Sequence, residues 1–150
     1  DRRWCFQYPK PQESLPLSLP RVYGEDEADL AIITYGNGVL MALGVQQRLE
    51  ELGHRVKVID LRWIKPLPLD EVCSLIENTH RILVADEGRP GGSIGESVVS
   101  GLAQRSASVN IRLLTSPDSY IPLGAAAEVT LLSEAEILDA AHDLLKQPAS

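Results

Sequence analysis

Positive charge is scarce in this sequence. Fourteen Lys and Arg stand against 21 Asp and Glu, which leaves a net charge of −7 over 150 residues. That sign repels phosphate backbones and anionic lipid, so nucleic acid and the membrane surface are excluded as main partners. Long apolar runs are missing as well, and none approaches the roughly 20 residues that a membrane-spanning helix needs. The first residues do not read as a secretory signal. Only two cysteines occur, Cys5 and Cys73, and they form no metal-binding spacing. They read as free thiols of a reducing, cytoplasmic compartment. Aromatics contribute 5% of residues against 44% for all hydrophobics. The interior is therefore aliphatic, as expected for strands covered by helices on both faces. The length suits one domain with a sizeable core.

Proline gathers where the core is not. Pro9, Pro11, Pro16 and Pro20 are four of the ten prolines. Proline fixes φ and removes a donor, so residues 1–19 read as a linker or arm, with Trp4, Phe6 and Tyr8 alternating along it. Residues 20–150 form the domain. Arg21-Val22-Tyr23 reads as a short edge strand before the acidic turn Gly24-Glu25-Asp26-Glu27. Leu30 to Tyr35 is a buried-strand run, and Asn37 is the expected N-cap of the next helix. That helix carries Val39, Ala42, Val45, Leu49 and Leu52 at helical steps and stops at Gly53. Val56 to Leu61 is the next strand, parallel to the first through the helical crossover.

Pro68 opens a helix with Leu69, Val72, Leu75 and Ile76 inside. A strand comes after it at 82–86. The sequence Ser93-Ile94-Gly95-Glu96 is a capping box that opens a helix to about Arg105. Val109 to Leu114 is the last strand, residues 117–124 form a structured loop, and Ser133-Glu134-Ala135-Glu136 is a second capping box. Strands alternating with helices predict a three-layer α/β/α sandwich.

The stretch that organises the chain is Asp86-Glu87-Gly88-Arg89-Pro90-Gly91-Gly92-Ser93-Ile94-Gly95-Glu96. It places two carboxylates at a strand's carboxyl end and a glycine turn at a helix amino end, where open α/β sheets take ligands and partners. Asp86 and Glu87 are candidates for an acid–base or metal pair. The acids and the lysine of a phosphoacceptor site have no counterparts, and a structural or pairing role for Glu87 is preferred. Gly91, Gly92 and Gly95 are the right residues to cradle a phosphate, but Glu87 and Glu96 repel one. Glycines here also let another backbone approach closely, as at a subunit interface. Gly36-Asn37-Gly38 with Asp60 is half of a dinucleotide fingerprint, whose third glycine is replaced by Met41. A tight turn is the preferred reading. His54, His80 and His142 are scattered, and Ser93, Ser97 and Ser100 lie in no nucleophile elbow.

Taken in order, Ala31 to Gly36, Asp60-Leu61-Arg62, Lys65-Pro66-Leu67, Glu87, Gly91-Gly92, Gly95-Glu96, Pro117-Asp118 and Ile121-Pro122 resemble one known pattern. It is that of the carboxy-terminal domain of the transketolase superfamily of thiamine-diphosphate enzymes. The resemblance is strongest to the β subunit, or β half, of the decarboxylating component of 2-oxoacid dehydrogenases. It implies a five-stranded, mostly parallel sheet with a short antiparallel edge strand. It also implies that thiamine diphosphate and magnesium are bound outside this chain, leaving it with no catalytic, cofactor-binding or metal-ligating residue. The expected role is dimerisation with a second β chain and contact with other domains or an α subunit. In some complexes the acyltransferase's subunit-binding domain docks there too. Glu87, Arg89, Gly91, Gly92, Gly95 and Glu96 are the expected interface set. The loop 117–124 lies between the β-subunit pattern and that of deoxyxylulose-phosphate synthase, so both subclasses stay open. So does an independent α/β module binding a nucleotide or anion at the strand ends.

Overall fold

A computed structural model describes residues 14–105 and 110–147. The apolar runs become β2 (Leu30–Thr34), β3 (Val56–Asp60), β4 (Arg81–Asp86) and β5 (Asn110–Thr115), all parallel. The short strand β1 (Arg21–Tyr23) pairs antiparallel with β3, Arg21 opposite Asp60, so the sheet order is β1-β3-β2-β4-β5. The antiparallel edge strand and the five-stranded sheet are as the sequence implied.

Continuous apolar runs are needed because both faces are covered. Leu30 and Ile32 face one cluster, with residues of helices α1 (Gly38–Glu51) and α4 (Glu134–Leu145). Ala31 and Ile33 face the other, with Val72 of α2 (Leu69–Leu75) and Val98 and Leu102 of α3 (Ile94–Ala103). The layers are helix, sheet and helix. Surface ion pairs join neighbouring elements, among them Arg105 to Asp70 at 2.9 Å and Arg112 to Asp143 at 3.2 Å. Exposed pairs of this kind add little stability.

Both capping boxes form, at Ser93–Glu96 and Ser133–Glu136. At Gly53 (φ +88) the α1 carbonyls are closed by Gly53 N–H to Glu50 O and His54 N–H to Leu49 O. That is the left-handed glycine stop the sequence predicted. Asn37 does not cap with its side chain. It is already helical, and tight-turn bonds from Gly38, Val39 and Leu40 N–H to Tyr35, Gly36 and Asn37 O use the donors that a cap would have served. Pro68 stands one residue ahead of α2 instead of inside it, and Ile76 is the residue that ends the helix, although it stays buried. Trp4, Cys5, Phe6, Tyr8 and Val109 lie outside the described residues.

Candidate docking site at the carboxyl end of the sheet

The strands β4 and β5 leave the sheet side by side, and two buried polar residues fix the turns beyond them. Asp86 ends β4 with no exposed surface. Its Oδ1 accepts from Tyr35 Oη and from Gly88 N–H, each at 2.7 Å, and its Oδ2 accepts from Gly95 N–H at 2.5 Å. One carboxylate thus ties the exit of β2, the turn after β4 and the start of α3. Burial pushes its pKa up, but the hydrogen bonds from Tyr35, Gly95, Gly88 and Ser93 prevail and hold it below the usual value. Burial and the same bond push the Tyr35 hydroxyl well above its ordinary value. Tyr35→Phe removes one of these donors to a buried charge and is expected to lower stability by about 1.5–3 kcal/mol, read from urea unfolding midpoints.

Ser116 does the same work after β5. Its hydroxyl donates to Glu87 O at 2.9 Å and accepts from Leu132 N–H at 3.1 Å, while its N–H donates to Gly88 O at 3.0 Å. Neither Ser116 nor the Tyr35–Asp86 pair stands out in the sequence as a site. Their partners are distant along the chain, and no local period marks them.

The glycine turn is filled from within. Gly91 and Gly92 adopt φ of +92° and +101°, so their N–H groups converge. Glu96 Oε1 accepts from Gly91 at 2.8 Å, and its Oε2 accepts from Gly92 at 2.6 Å and Ser93 at 3.3 Å. These bonds hold the Glu96 carboxyl below its usual range. A carboxylate three to five residues downstream was the readable signal for this arrangement.

Of the interface set, Gly91 and Gly92 lie exposed, and a side chain at either would meet open space. Arg89 is exposed too, with its guanidinium 5.6 Å from the Tyr120 ring centre. Glu87 is half-buried on a groove of about 380 Å³ that also takes in Arg89, Pro117, Tyr120 and Ile121. Gly95 is different. It is buried inside this domain, where a Cβ would stand 2.6 Å from Leu113 Cδ1 and 2.9 Å from Asp86 Oδ2. Its lack of a side chain serves the fold.

The residues of the half dinucleotide fingerprint are otherwise engaged. Asp60 Oδ1 accepts from Arg62 N–H two residues on, closing a turn, and Gly38 packs against Thr34. Among the described residues no group of three or more His, Cys, Asp or Glu side chains is arranged to hold a metal ion. Cys73 is a free thiol. No helix among the described residues is long and apolar enough to cross a membrane.

Residues 22–142 match the family described as transketolase, C-terminal domain. This chain belongs to that family. The pyruvate dehydrogenase E1 component subunit beta of Staphylococcus aureus is 29% identical over 145 residues, 94% of this transketolase C-terminal domain and 45% of the relative. The same subunit from Bacillus subtilis is 30% identical with the same coverage. The chain therefore spans about half the length of these curated relatives. Among solved structures, an inactive β4 tetramer of a split-gene transketolase superposes with a TM-score of 0.76 at 20% identity, over 91% of this chain and 44% of that one. A 2-oxoglutarate:ferredoxin oxidoreductase from Magnetococcus marinus gives 0.60 at 18% identity, over 85% of this chain and 20% of that one. Those two likenesses speak to the fold of the transketolase C-terminal domain alone.

Proposed function

We propose that this chain is the carboxy-terminal domain of the β subunit, or β half, of a thiamine-diphosphate-dependent 2-oxoacid dehydrogenase acting on pyruvate or a branched-chain 2-oxoacid. In this reading it serves assembly, and the chemistry is done elsewhere in the protein. One observation carries it. The two acids best placed for chemistry, Asp86 and Glu96, spend their oxygens on Tyr35, Gly88, Gly95, Gly91, Gly92 and Ser93 of their own domain. They hold a docking turn in shape and leave the glycine N–H groups no room for a diphosphate. The described residues do not fit thiamine diphosphate or its metal, so both belong to other domains or to an α subunit.

The segment up to residue 19 is the linker from those domains, and the whole enzyme is cytoplasmic. The partners are a second β chain, the α half and the acyltransferase's subunit-binding domain, met through Glu87, Arg89, Gly91 and Gly92. The β chains of the split-gene transketolase form a tetramer without activity, which supports assembly as the role of such a chain.

Calorimetric titration of the isolated chain with thiamine diphosphate and magnesium is expected to show no specific binding. A Kd tighter than about 100 μM, roughly 5.5 kcal/mol of affinity, would overturn the reading.

A further inference from the structure

The large apolar side chains that this domain leaves exposed are gathered at one end of it. Strands β2 to β5 are parallel and share a carboxyl end. Tyr120, Ile121, Leu123 and Val129 all lie between β5 and α4, and Tyr120 and Leu123 are 88% and 97% exposed. Ile64 comes after β3, and Leu40 stands in the first turn of the helix after β2. Leu17 precedes β1, whose first residue Arg21 pairs with the last residue of β3. Among the described residues only Leu52, at the end of α1, is an exposed large hydrophobic at the opposite end. A patch that keeps this much apolar surface in water marks a contact.

Charge is divided the same way. Glu25, Asp26, Glu27 and Asp29 precede β2, and Glu50 and Glu51 end α1, so negative charge gathers at the amino end. The carboxyl end mixes signs, with Arg89 beside Glu87 and Asp118, and with Arg62 and Lys65 after β3. The groove between the β4 and β5 exits runs through this face, and the Arg89–Tyr120 stack stands on its rim.

We infer that this face, centred on Tyr120, Ile121 and Leu123 beside Arg89, is where two copies of this chain meet across a two-fold axis. The inference rests on the assembly role proposed above and names the surface and its occupant. A two-fold contact requires one patch to complement itself. Here the apolar centre is flanked by a cation and by anions, so an inverted copy sets Arg89 of one chain opposite Glu87 or Asp118 of the other. The same geometry turns the two acidic amino ends away from each other. Arg89 and Tyr120 are held against one another before the partner arrives, and both are residue types that dominate such contacts. The glycine turn lies on the flank of this surface, and the loop 119–124 is its apolar centre.

Sedimentation equilibrium of the 150-residue chain tests the assignment. A reversible dimer is expected within about 1–200 μM. Tyr120→Ser with Leu123→Glu is expected to weaken it at least about tenfold. Circular dichroism and the thermal midpoint should stay unchanged, because these side chains are almost wholly in solvent. Leu52→Glu, at the other end, should leave the dimer intact, and Arg89→Glu should weaken it in a salt-dependent way. A chain that is monomeric throughout gives the face to another partner, such as the remainder of the longer relatives, and overturns the two-fold assignment. A dimer indifferent to the Tyr120/Leu123 pair, or one broken by Leu52→Glu, overturns it equally. Cofactor binding by a chain that dimerises through this face would refute the assembly-only function and leave the surface standing. A monomer that binds no cofactor would do the reverse.

Discussion

Asp86→Ala is expected to cost about 3–5 kcal/mol of folding stability, among the largest losses for a single side chain in this domain. Burying a carboxylate is itself unfavourable, so removing it relieves one cost. The donors left behind outweigh that relief. Gly88 N–H and Gly95 N–H were fixed by the turn and the helix start to meet this carboxylate. Each buried donor left unpaired costs about 1–3 kcal/mol. Tyr35 loses its acceptor as well, and β2, β4 and α3 lose their common tie. Asp86→Asn keeps the shape but turns an NH₂ toward donors, and is expected to cost about 2 kcal/mol.

The same site gives the acid limb of stability a definite sign. The folded pKa of Asp86 lies below its ordinary value, because the hydrogen bonds overcome the upward push of burial. A carboxyl of this kind contributes its full stabilisation above the unfolded value of about 3.9 and loses it as the pH falls through the folded value. Asp29, held low chiefly by its hydrogen bonds to Arg55, and Glu96 titrate in the same direction and share the window. The wild-type domain should therefore lose stability below about pH 4, and Asp86→Asn should lose less over that range. Urea midpoints from pH 7 down to pH 3 measure both effects. An alanine variant within about 1 kcal/mol of wild type would refute the hub, as would an acid limb unchanged by Asp86→Asn.

What was legible in the sequence was what local spacing controls. The strand runs, both capping boxes and the Gly53 stop are patterns within a dozen residues, and the structure has all of them. The short antiparallel edge strand came from the family resemblance. Contacts across the sheet were not legible. Tyr35 and Asp86 are 51 residues apart, and Ser116 meets the Glu87 carbonyl 29 residues away. A period of 2 or 3.6 carries no information about which side chains the register brings opposite one another. Asn37 failed as a cap for the opposite reason. Its residue type was right, but a competing local turn had already used the donors. The Glu96 carboxylate was noticed only as something that repels an anion. In the structure it is the anion, seated in the turn that an incoming phosphate would have needed.

Gly38→Ala is the second large effect, and helix propensity alone gives it the wrong sign. In a helix interior alanine is better than glycine by about 1 kcal/mol. Here a Cβ would stand 2.1 Å from Thr34 Oγ1. Thr34 is buried and β-branched, and its hydroxyl donates to Ala85 O at 2.8 Å across the sheet. Either the threonine rotates and that bond is lost, or the first turn of α1 lifts from the sheet and disturbs Tyr35 beside it. Overpacking plus a lost hydrogen bond makes the expected cost about 2–4 kcal/mol. This also distinguishes the turn from a nucleotide fingerprint. A glycine required for a pyrophosphate's approach faces open space, as Gly36 does, whereas Gly38 faces its own strand. A double-mutant cycle with Thr34→Ala decides the cause. Removing the threonine side chain opens the space, so in that background Gly38→Ala should be close to neutral, a coupling of about 2 kcal/mol or more. If the two substitutions add, the clash with Thr34 is not the reason for glycine at this position, and the close seating of α1 on β2 and β4 would need another cause.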